Sequence, residues 1–355
     1  METYYPGFYW NVNYGNGVWW RNHAFYAEKY SDHANHVGEI IVGAKGINPT
    51  AELISVQLDT NWNGMTGEMN YLMYYTNIIN HSWVFLHHKD WENYNGYSEY
   101  LDDLIYNNSE LINVISAGNE GYYGSPYRQL LGTTLSQNSI IVGALDKKIW
   151  RRKKAEYSQV GNELNYISVA VPGTYNFSDG STDRGTSFAA PAVTAMATML
   201  KQDRKYRFDQ GSDSIIFKSA LLTGSRKPKT TNQIYTNETG FGIPNYKLMN
   251  QALDNLSVFY ISNNSISDIR TVYLSEGETL RASIAYLYGG NSHKVDIDLQ
   301  LIDPDQTSVA LSLSSNKNAE VIEYTAQKSG YYKLKTYGLS NFLGIKEVAL
   351  TYVKK

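Results

Sequence analysis

The sequence contains no cysteine, which excludes a disulfide framework, a thiolate zinc site and a cysteine nucleophile. It also lacks a strong charge: 31 Lys and Arg against 34 Asp and Glu give a formal net charge of -3. Neither nucleic acid nor an anionic membrane surface is therefore expected as a partner on electrostatic grounds.

Long hydrophobic runs are missing as well. The most apolar stretch, residues 187–200, is short and contains Pro, Ser and Thr, so we expect no membrane span. The first twenty residues have neither the basic start nor the apolar core of a signal peptide. Any export signal is expected to be encoded upstream of Met1.

The 355 residues are 42% hydrophobic and leave room for two domains. Strand-like and helix-like segments alternate up to about residue 256, which predicts an α/β fold with a mainly parallel sheet and helices on both faces. From residue 257 to 355, short strand-like runs are separated by Gly, Asn, Asp and Pro turns, which predicts an all-β sandwich. We therefore predict domains at 1–256 and 257–355.

Small residues surround a serine in Gly185-Thr186-Ser187-Phe188-Ala189-Ala190-Pro191, and apolar residues continue to Leu200. This pattern predicts a buried helix that begins near Ser187, with the proline in its first turn, where a missing N–H is harmless. A serine at a helix entrance is placed as a nucleophile needs to be. The alternative is a core helix with a serine cap.

A histidine stands at the entrance of a second helical pattern, Asp32 to Gly43. His33 would be free to face a cleft there. A zinc site formed by His33 and His36 is the alternative, but it needs a third ligand, and no HExxH-like pattern is present.

An apolar strand, residues 111–117, runs directly into Gly118-Asn119. Such a strand would deliver the Asn119 amide to the carboxyl end of a parallel sheet, where open α/β sheets bind their ligands. Alternatively, Asn119 is a turn residue.

Taken in order, these motifs resemble those of the subtilisin family of serine peptidases over most of residues 31–256. Ser187 lies in the nucleophile motif. The segment that begins at His33 resembles His-Gly-Thr-His-Val-Ala-Gly, with Ala34 and Asn35 in place of Gly and Thr, and His36 matches its second, structural histidine. Asn119 lies in a match to Ala-Ala-Gly-Asn-Glu-Gly.

The resemblance implies a serine endopeptidase that acts on proteins or peptides and needs no cofactor for its chemistry. Ser187 would attack the peptide carbonyl, His33 would be the general base, and Asn119 would donate to the oxyanion. By the same resemblance, the residues expected to line the substrate cleft are Ser82, Trp83, Val84, Gly118 and Thr186.

One departure concerns the third member of the triad. In the family, an aspartate ends an early strand roughly thirty residues before the histidine. Here no aspartate precedes Asp32, which adjoins His33 and is badly placed to reach its ring, and Asp59 is interpreted as a loop residue. We infer that the first strand and its aspartate are missing from this chain.

The C-terminal segment resembles the β domains that are often appended to secreted bacterial peptidases, which implies a secreted or cell-surface protein. Within it, Asp296 and Asp298 alternate on one strand. They are candidates for a structural calcium site, although carboxylates at the end of a strand are more often solvated.

Three hypotheses follow for the function. The first is an active serine endopeptidase. The second is a catalytically impaired pseudopeptidase that binds peptides without cleaving them, and the third is a surface binding protein whose working part is the β-sandwich.

Overall fold

The computed structural model describes residues 18–20, 31–55, 62–83, 92–94, 96–146, 153–209, 211–227, 233–289, 295–339 and 344–355. The helices α1 to α7 are Asp32–Val42, Trp62–Tyr75, Gly96–Asn107, Thr186–Asp203, Lys205–Phe208, Asp213–Thr223 and Tyr246–Ala252. Two short 3₁₀ turns are Gly132–Leu135 and Leu253–Asn255.

A four-stranded parallel sheet lies at the centre of the N-terminal part, in the spatial order β3-β4-β5-β6. These strands are β3 Ile78–His81, β4 Ile112–Ser116, β5 Ile140–Leu145 and β6 Val169–Pro172. Two further strands, β1 Val18–Trp20 and β2 Leu53–Ser55, form a separate parallel pair.

Both faces of the sheet are covered, because successive side chains of a strand point to opposite faces. Val114 and Val142 pack in the core that contains α4 and α6. Their neighbours Ile115 and Ile141 pack in the core that contains α2 and α3. The predicted α/β fold with helices on both faces is therefore confirmed.

Two smaller strand pairings complete the described N-terminal part. β7 Thr174–Asn176 and β8 Thr182–Arg184 form an antiparallel hairpin that leads directly into α4. β9 Ser225–Arg226 pairs with β10 Ile243–Pro244.

The C-terminal part is an antiparallel sandwich of two four-stranded sheets, β11-β18-β13-β16 and β12-β17-β14-β15, as the sequence predicted. Its strands β11 to β18 are Ser257–Ser262, Ile266–Leu274, Thr279–Tyr286, Ile297–Ile302, Ser308–Ser312, Ala319–Thr325, Gly330–Gly338 and Ile345–Lys354.

The sandwich packs directly on the N-terminal part. Ala285, Val321 and Ala349 belong to the same core as Phe217 and Ala220 of α6. No solvent layer separates these two groups of side chains, so α6 is buried between the parallel sheet and the sandwich.

Arg281 of β13 ties the two parts together by hydrogen bonds. Its fully buried guanidinium donates to the carbonyl oxygens of Leu222, at 3.2 Å, and Phe241, at 2.9 Å, and it pairs with Glu323 at 3.1 Å. These bonds use most of its donors, which compensates the cost of burying the charge.

The domain boundary at 256/257 stays a prediction.

Candidate active site

The serine singled out by the sequence lies at the start of the longest described helix. Ser187 is the second residue of α4, is 8% exposed and follows Gly185, which is the N-cap. Its N–H is one of the first four of the helix, which have no acceptor inside the helix. The hydroxyl and this N–H are therefore at the end of α4 that attracts negative charge.

The position of the helix proline differs from the prediction. Because α4 begins at Thr186, Pro191 is the sixth residue and lies in the second turn. A residue at this position would normally donate its N–H to the carbonyl of Ser187, four residues earlier, and proline has no N–H to donate. The hydroxyl of Ser82, at the end of β3, donates to that carbonyl instead, at 2.7 Å.

A chain of polar side chains holds Ser82 in place. The Asn80 amide donates to the Ser82 hydroxyl at 2.9 Å, and its oxygen accepts from the hydroxyl of Thr194 on α4 at 2.9 Å. Asn80 was not among the residues predicted from the sequence. Its signal was the i, i+2 spacing to Ser82, which puts both side chains on one face of β3.

Asn119 lies beside the serine, and its amide has a defined orientation. The side-chain oxygen accepts from the N–H and the hydroxyl of Thr186, at 2.8 and 3.0 Å. The amide nitrogen lies next to Gly185, 3.4 Å from where a Cβ would be at that residue. Asn119 is an exposed residue beside the first turn of α4.

Gly118 and Thr186 complete this corner. The Gly118 N–H donates to the Thr186 hydroxyl at 3.0 Å. Gly118 has a φ of 103°, a conformation that glycine adopts without strain. A Cβ at this residue would be 1.6 Å from the side-chain oxygen of Gln159. Glycine is thus required here for two separate reasons.

His33 is the second residue of α1, which is capped by Ser31: the serine hydroxyl accepts from the Ala34 N–H at 3.2 Å. The His33 ring centroid is 5.2 Å from that of Phe188, the residue after Ser187. α1 packs against α4. The structure therefore brings the first turns of the two helices that carry His33 and Ser187 together.

The other histidine of the motif has a structural contact. His36 is 7% exposed, and its Nε2 lies 2.9 Å from a carboxylate oxygen of Asp179. Within the described residues, no group of three or more His, Cys, Asp or Glu side chains is arranged to hold a metal ion.

The remaining predicted cleft residues are partly described. The Trp83 ring meets the His81 ring edge-on, with centroids 5.1 Å apart. Burial lowers the pKa of His81 to about 4, although its hydrogen bond to Asn113 acts in the opposite direction. Val84 lies outside the described residues, as does Asp59.

A cavity of about 340 Å³ lies between β2 and β3, under α1 and α2. Its lining runs from Ala34, next to His33, to Ser82. In the described part of the chain, β2 and β3 do not pair with each other.

A short strand precedes α1, but it carries no aspartate, so the inferred absence of the aspartate-bearing first strand stays a prediction. Val18–Trp20 precedes α1 and pairs in parallel with β2. β-branched and aromatic residues favour strands, but three of them are too few to show a period. None of residues 1–31 is an aspartate. That this chain lacks a third triad member therefore stays a prediction.

Asp296 and Asp298 of the sandwich are buried rather than solvated, at 7% and 5% exposure. One oxygen of each carboxylate has no hydrogen-bond partner within the described residues. Burial raises the pKa of both groups, that of Asp298 to about 6.

Comparison with known proteins decides the family. The model of the subtilase family matches residues 8–242, more than half of the chain. The chain belongs to the subtilase family. A search of curated proteins finds no match.

Solved structures agree with this subtilase fold. The prenylagaramide maturation protease PagA superposes with a TM-score of 0.51 at 21% identity, over 66% of this chain and 86% of PagA. A single-residue mutant of the PatA protease domain gives 0.51 at 21% identity, over 68% and 88%. A lanthipeptide protease gives 0.51 at 15% identity, over 68% and 82%. At these identities the similarities show the fold.

Membership of the subtilase family is consistent with a serine peptidase type of activity on protein or peptide substrates. Among the described residues, no helix combines the length and the apolar composition that crossing a bilayer requires.

Proposed function

We propose that this subtilase is a serine endopeptidase that hydrolyses peptide bonds of proteins through an acyl-enzyme on Ser187. The observation that carries the proposal is the orientation of Asn119. Because its oxygen accepts two hydrogen bonds from Thr186, its amide nitrogen lies beside Gly185, two residues before Ser187. A turn residue would not need this orientation.

The mechanism that we propose uses three residues. The Ser187 hydroxyl attacks the peptide carbonyl carbon while His33 takes the hydroxyl proton, which it later gives to the leaving amine. The negative oxygen of the tetrahedral intermediate accepts hydrogen bonds from the Asn119 amide and the Ser187 N–H. Water then hydrolyses the acyl-enzyme by the same steps in reverse order.

Substrate is proposed to bind along Ser82, Trp83, Val84, Gly118 and Thr186. Of the described members, Ser82 donates to the Ser187 carbonyl, and Thr186, which accepts from the Gly118 N–H, donates to the Asn119 side-chain oxygen. We propose secretion or display at the cell surface, and we expect neither a cofactor for the chemistry nor a nucleic acid partner. A structural calcium ion at Asp296 and Asp298 stays a prediction.

A catalytically impaired peptide-binding protein is the second candidate, because residues 1–31 contain no aspartate. In subtilisin, loss of the aspartate lowers turnover about 3 × 10⁴-fold, while the rest of the site retains roughly 10³ to 10⁴-fold over water. The impaired form would therefore bind peptides with little cleavage.

A fluorophosphonate probe distinguishes the two candidates, because it reacts with activated serines. The full chain is incubated with the probe, and the labelled residue is identified by peptide mass. We expect an adduct on Ser187 that is abolished in Ser187→Ala and strongly slowed in His33→Ala. Ser275→Ala, at an exposed residue of the sandwich, is the control that keeps full labelling. A folded wild-type chain without an adduct would refute the proposed endopeptidase and favour the binding protein.

A further inference from the structure

Four rings form a continuous aromatic cluster between α1 and the segment that leads to the nucleophile. His33 packs on Phe188 with centroids 5.2 Å apart, and Phe188 packs on Phe177 at 5.4 Å. Phe177 in turn is stacked on His36 at 3.8 Å, with only 7° between the ring planes. The cluster thus connects His33 to a second histidine one helical turn further along α1.

Asp179 holds the far end of this cluster. One of its oxygens lies 2.9 Å from His36 Nε2, and the other accepts from the Ser181 N–H at 2.8 Å. These bonds from Ser181 and His36 lower the pKa of the Asp179 carboxyl below its usual range. An ionised carboxylate only accepts, so Nε2 carries the proton and the plane of the His36 ring is fixed.

A second contact ties the same turn to α1. The Ser178 N–H and hydroxyl donate to the two oxygens of Glu39, at 2.8 and 3.0 Å. His36 and Glu39 are three residues apart and lie on one side of α1. The turn between β7 and β8 therefore contacts α1 at two neighbouring residues, His36 and Glu39.

The same hairpin, β7–β8, leads directly into the start of α4, where Ser187 lies. β8 ends at Arg184, and the next three residues are Gly185, Thr186 and Ser187. A single stretch of chain thus contacts the helix of His33 at one end and carries Ser187 at the other. This stretch therefore links Ser187 to the helix that carries His33.

We propose that Asp179 is a positioning residue for catalysis, which locks His36 against Phe177 and, through Phe177 and Phe188, sets the orientation of the His33 ring toward Ser187. This inference rests on the proposed endopeptidase function. Asp179 does not act as the third member of a triad, because its carboxylate binds His36 and not His33. It acts through the packing of the cluster, whatever else contacts His33.

The test compares Asp179→Ala with a control on the same hairpin, Asp183→Ala. Asp183 is exposed, and its side chain accepts a hydrogen bond from the neighbouring Arg184 N–H. We measure the rate constant of fluorophosphonate labelling at Ser187, kcat and KM for a peptide substrate, and Tm. Small misplacements of a catalytic group are costly, so we expect Asp179→Ala to lower labelling and kcat about tenfold, with KM within about twofold of wild type. Asp183→Ala should match the wild type.

The variant Asp179→Asn shows whether the loss of rate follows the loss of hydrogen bonds, because it keeps a side chain of nearly the same size. Its single amide oxygen can accept one of the two hydrogen bonds, so an intermediate rate is expected. Wild-type labelling and kcat in a folded Asp179→Ala variant would overturn the proposal, as would a change confined to KM.

A measurement that does not depend on turnover distinguishes failure of the endopeptidase proposal from failure of the positioning proposal. The ring signals of His33 are followed by NMR in the full chain, with His33→Ala for assignment. We expect Asp179→Ala to shift the His33 signals and Asp183→Ala to leave them unchanged. If the wild-type chain takes no probe, the endopeptidase proposal fails. If the His33 signals are the same in wild type and Asp179→Ala, the positioning proposal fails.

Discussion

The hydroxyl of Ser82 donates to the backbone carbonyl of Ser187 at 2.7 Å, and this bond replaces one that the helix cannot make. Pro191 has no N–H for the Ser187 carbonyl. Because of the proline, the second turn of α4 cannot donate the usual i, i+4 hydrogen bond to the Ser187 carbonyl. Ser82, at the end of the neighbouring strand β3, donates to it instead. β3 and α4 are thereby joined at the residue on which the proposed chemistry depends.

Removing this donor should destabilise the chain and disturb the serine. In Ser82→Ala a buried carbonyl loses its partner, which costs about 1 to 3 kcal/mol of unfolding free energy. We expect urea denaturation to show a loss in this range and fluorophosphonate labelling at Ser187 to slow.

Pro191→Ala provides the matching control, since alanine restores an N–H four residues after Ser187. In the double variant we expect part of the stability lost in Ser82→Ala to return, which a double-mutant cycle measures. Strictly additive effects would contradict the pairing of the two residues through the Ser187 carbonyl.

A second prediction concerns Asn119. Asn119→Asp keeps an oxygen that can accept from Thr186 but removes the N–H donors, so the fold should persist while the oxyanion loses a partner. We expect kcat to fall by about 10² to 10³-fold, a loss typical of one oxyanion donor. Circular dichroism checks the fold, and an unchanged kcat would exclude the proposed role.

Much of this site is predictable from the sequence because its parts are local. An apolar strand that runs into Gly118-Asn119, and a small-residue helix that begins beside Ser187, each show in a window of about ten residues. The helix start was predicted within one residue, but Pro191 lies in the second turn and not in the first, as was predicted.

Contacts between distant segments were not predictable in this way. Asp179 and His36 are 143 positions apart, and no period links them. The contacts of buried Arg281 with Leu222 and Phe241 have no sequence signal either, because they use backbone oxygens, which every residue has. Tertiary packing alone brings these groups together.

Gly118 should tolerate no side chain. In Gly118→Ala the Cβ would overlap the Gln159 side chain and force a φ near 103° on an L-residue, which by itself costs on the order of 1 to 3 kcal/mol. Gly124→Ala is the control, because a Cβ there meets nothing within 4 Å. We expect a clear fall in Tm for the first variant and none for the second. Equal Tm values would show that the corner around Asn119 is less rigid than the described contacts require.

Glu320 of the sandwich should make stability depend on pH. It is 1% exposed, and burial raises its pKa to about 8 from an ordinary 4.5, against the opposing effect of the Ser312 hydroxyl. Between these two values the folded chain keeps a proton that the unfolded chain releases. The unfolding free energy therefore falls as pH rises, by up to about 1.4 kcal/mol per pH unit, and no further slope from this group is expected above pH 8.

Glu320→Gln resembles the protonated side chain and should lack this contribution. In urea denaturation at pH 5, 6, 7 and 8, wild type should therefore lose stability relative to Glu320→Gln as the pH rises. Glu276→Gln, at an exposed carboxylate, should run parallel to wild type. Parallel curves for wild type and Glu320→Gln would mean that Glu320 is ionised in the fold at pH 5, and that its buried oxygens are stabilised by more than Ser312 and Ser314.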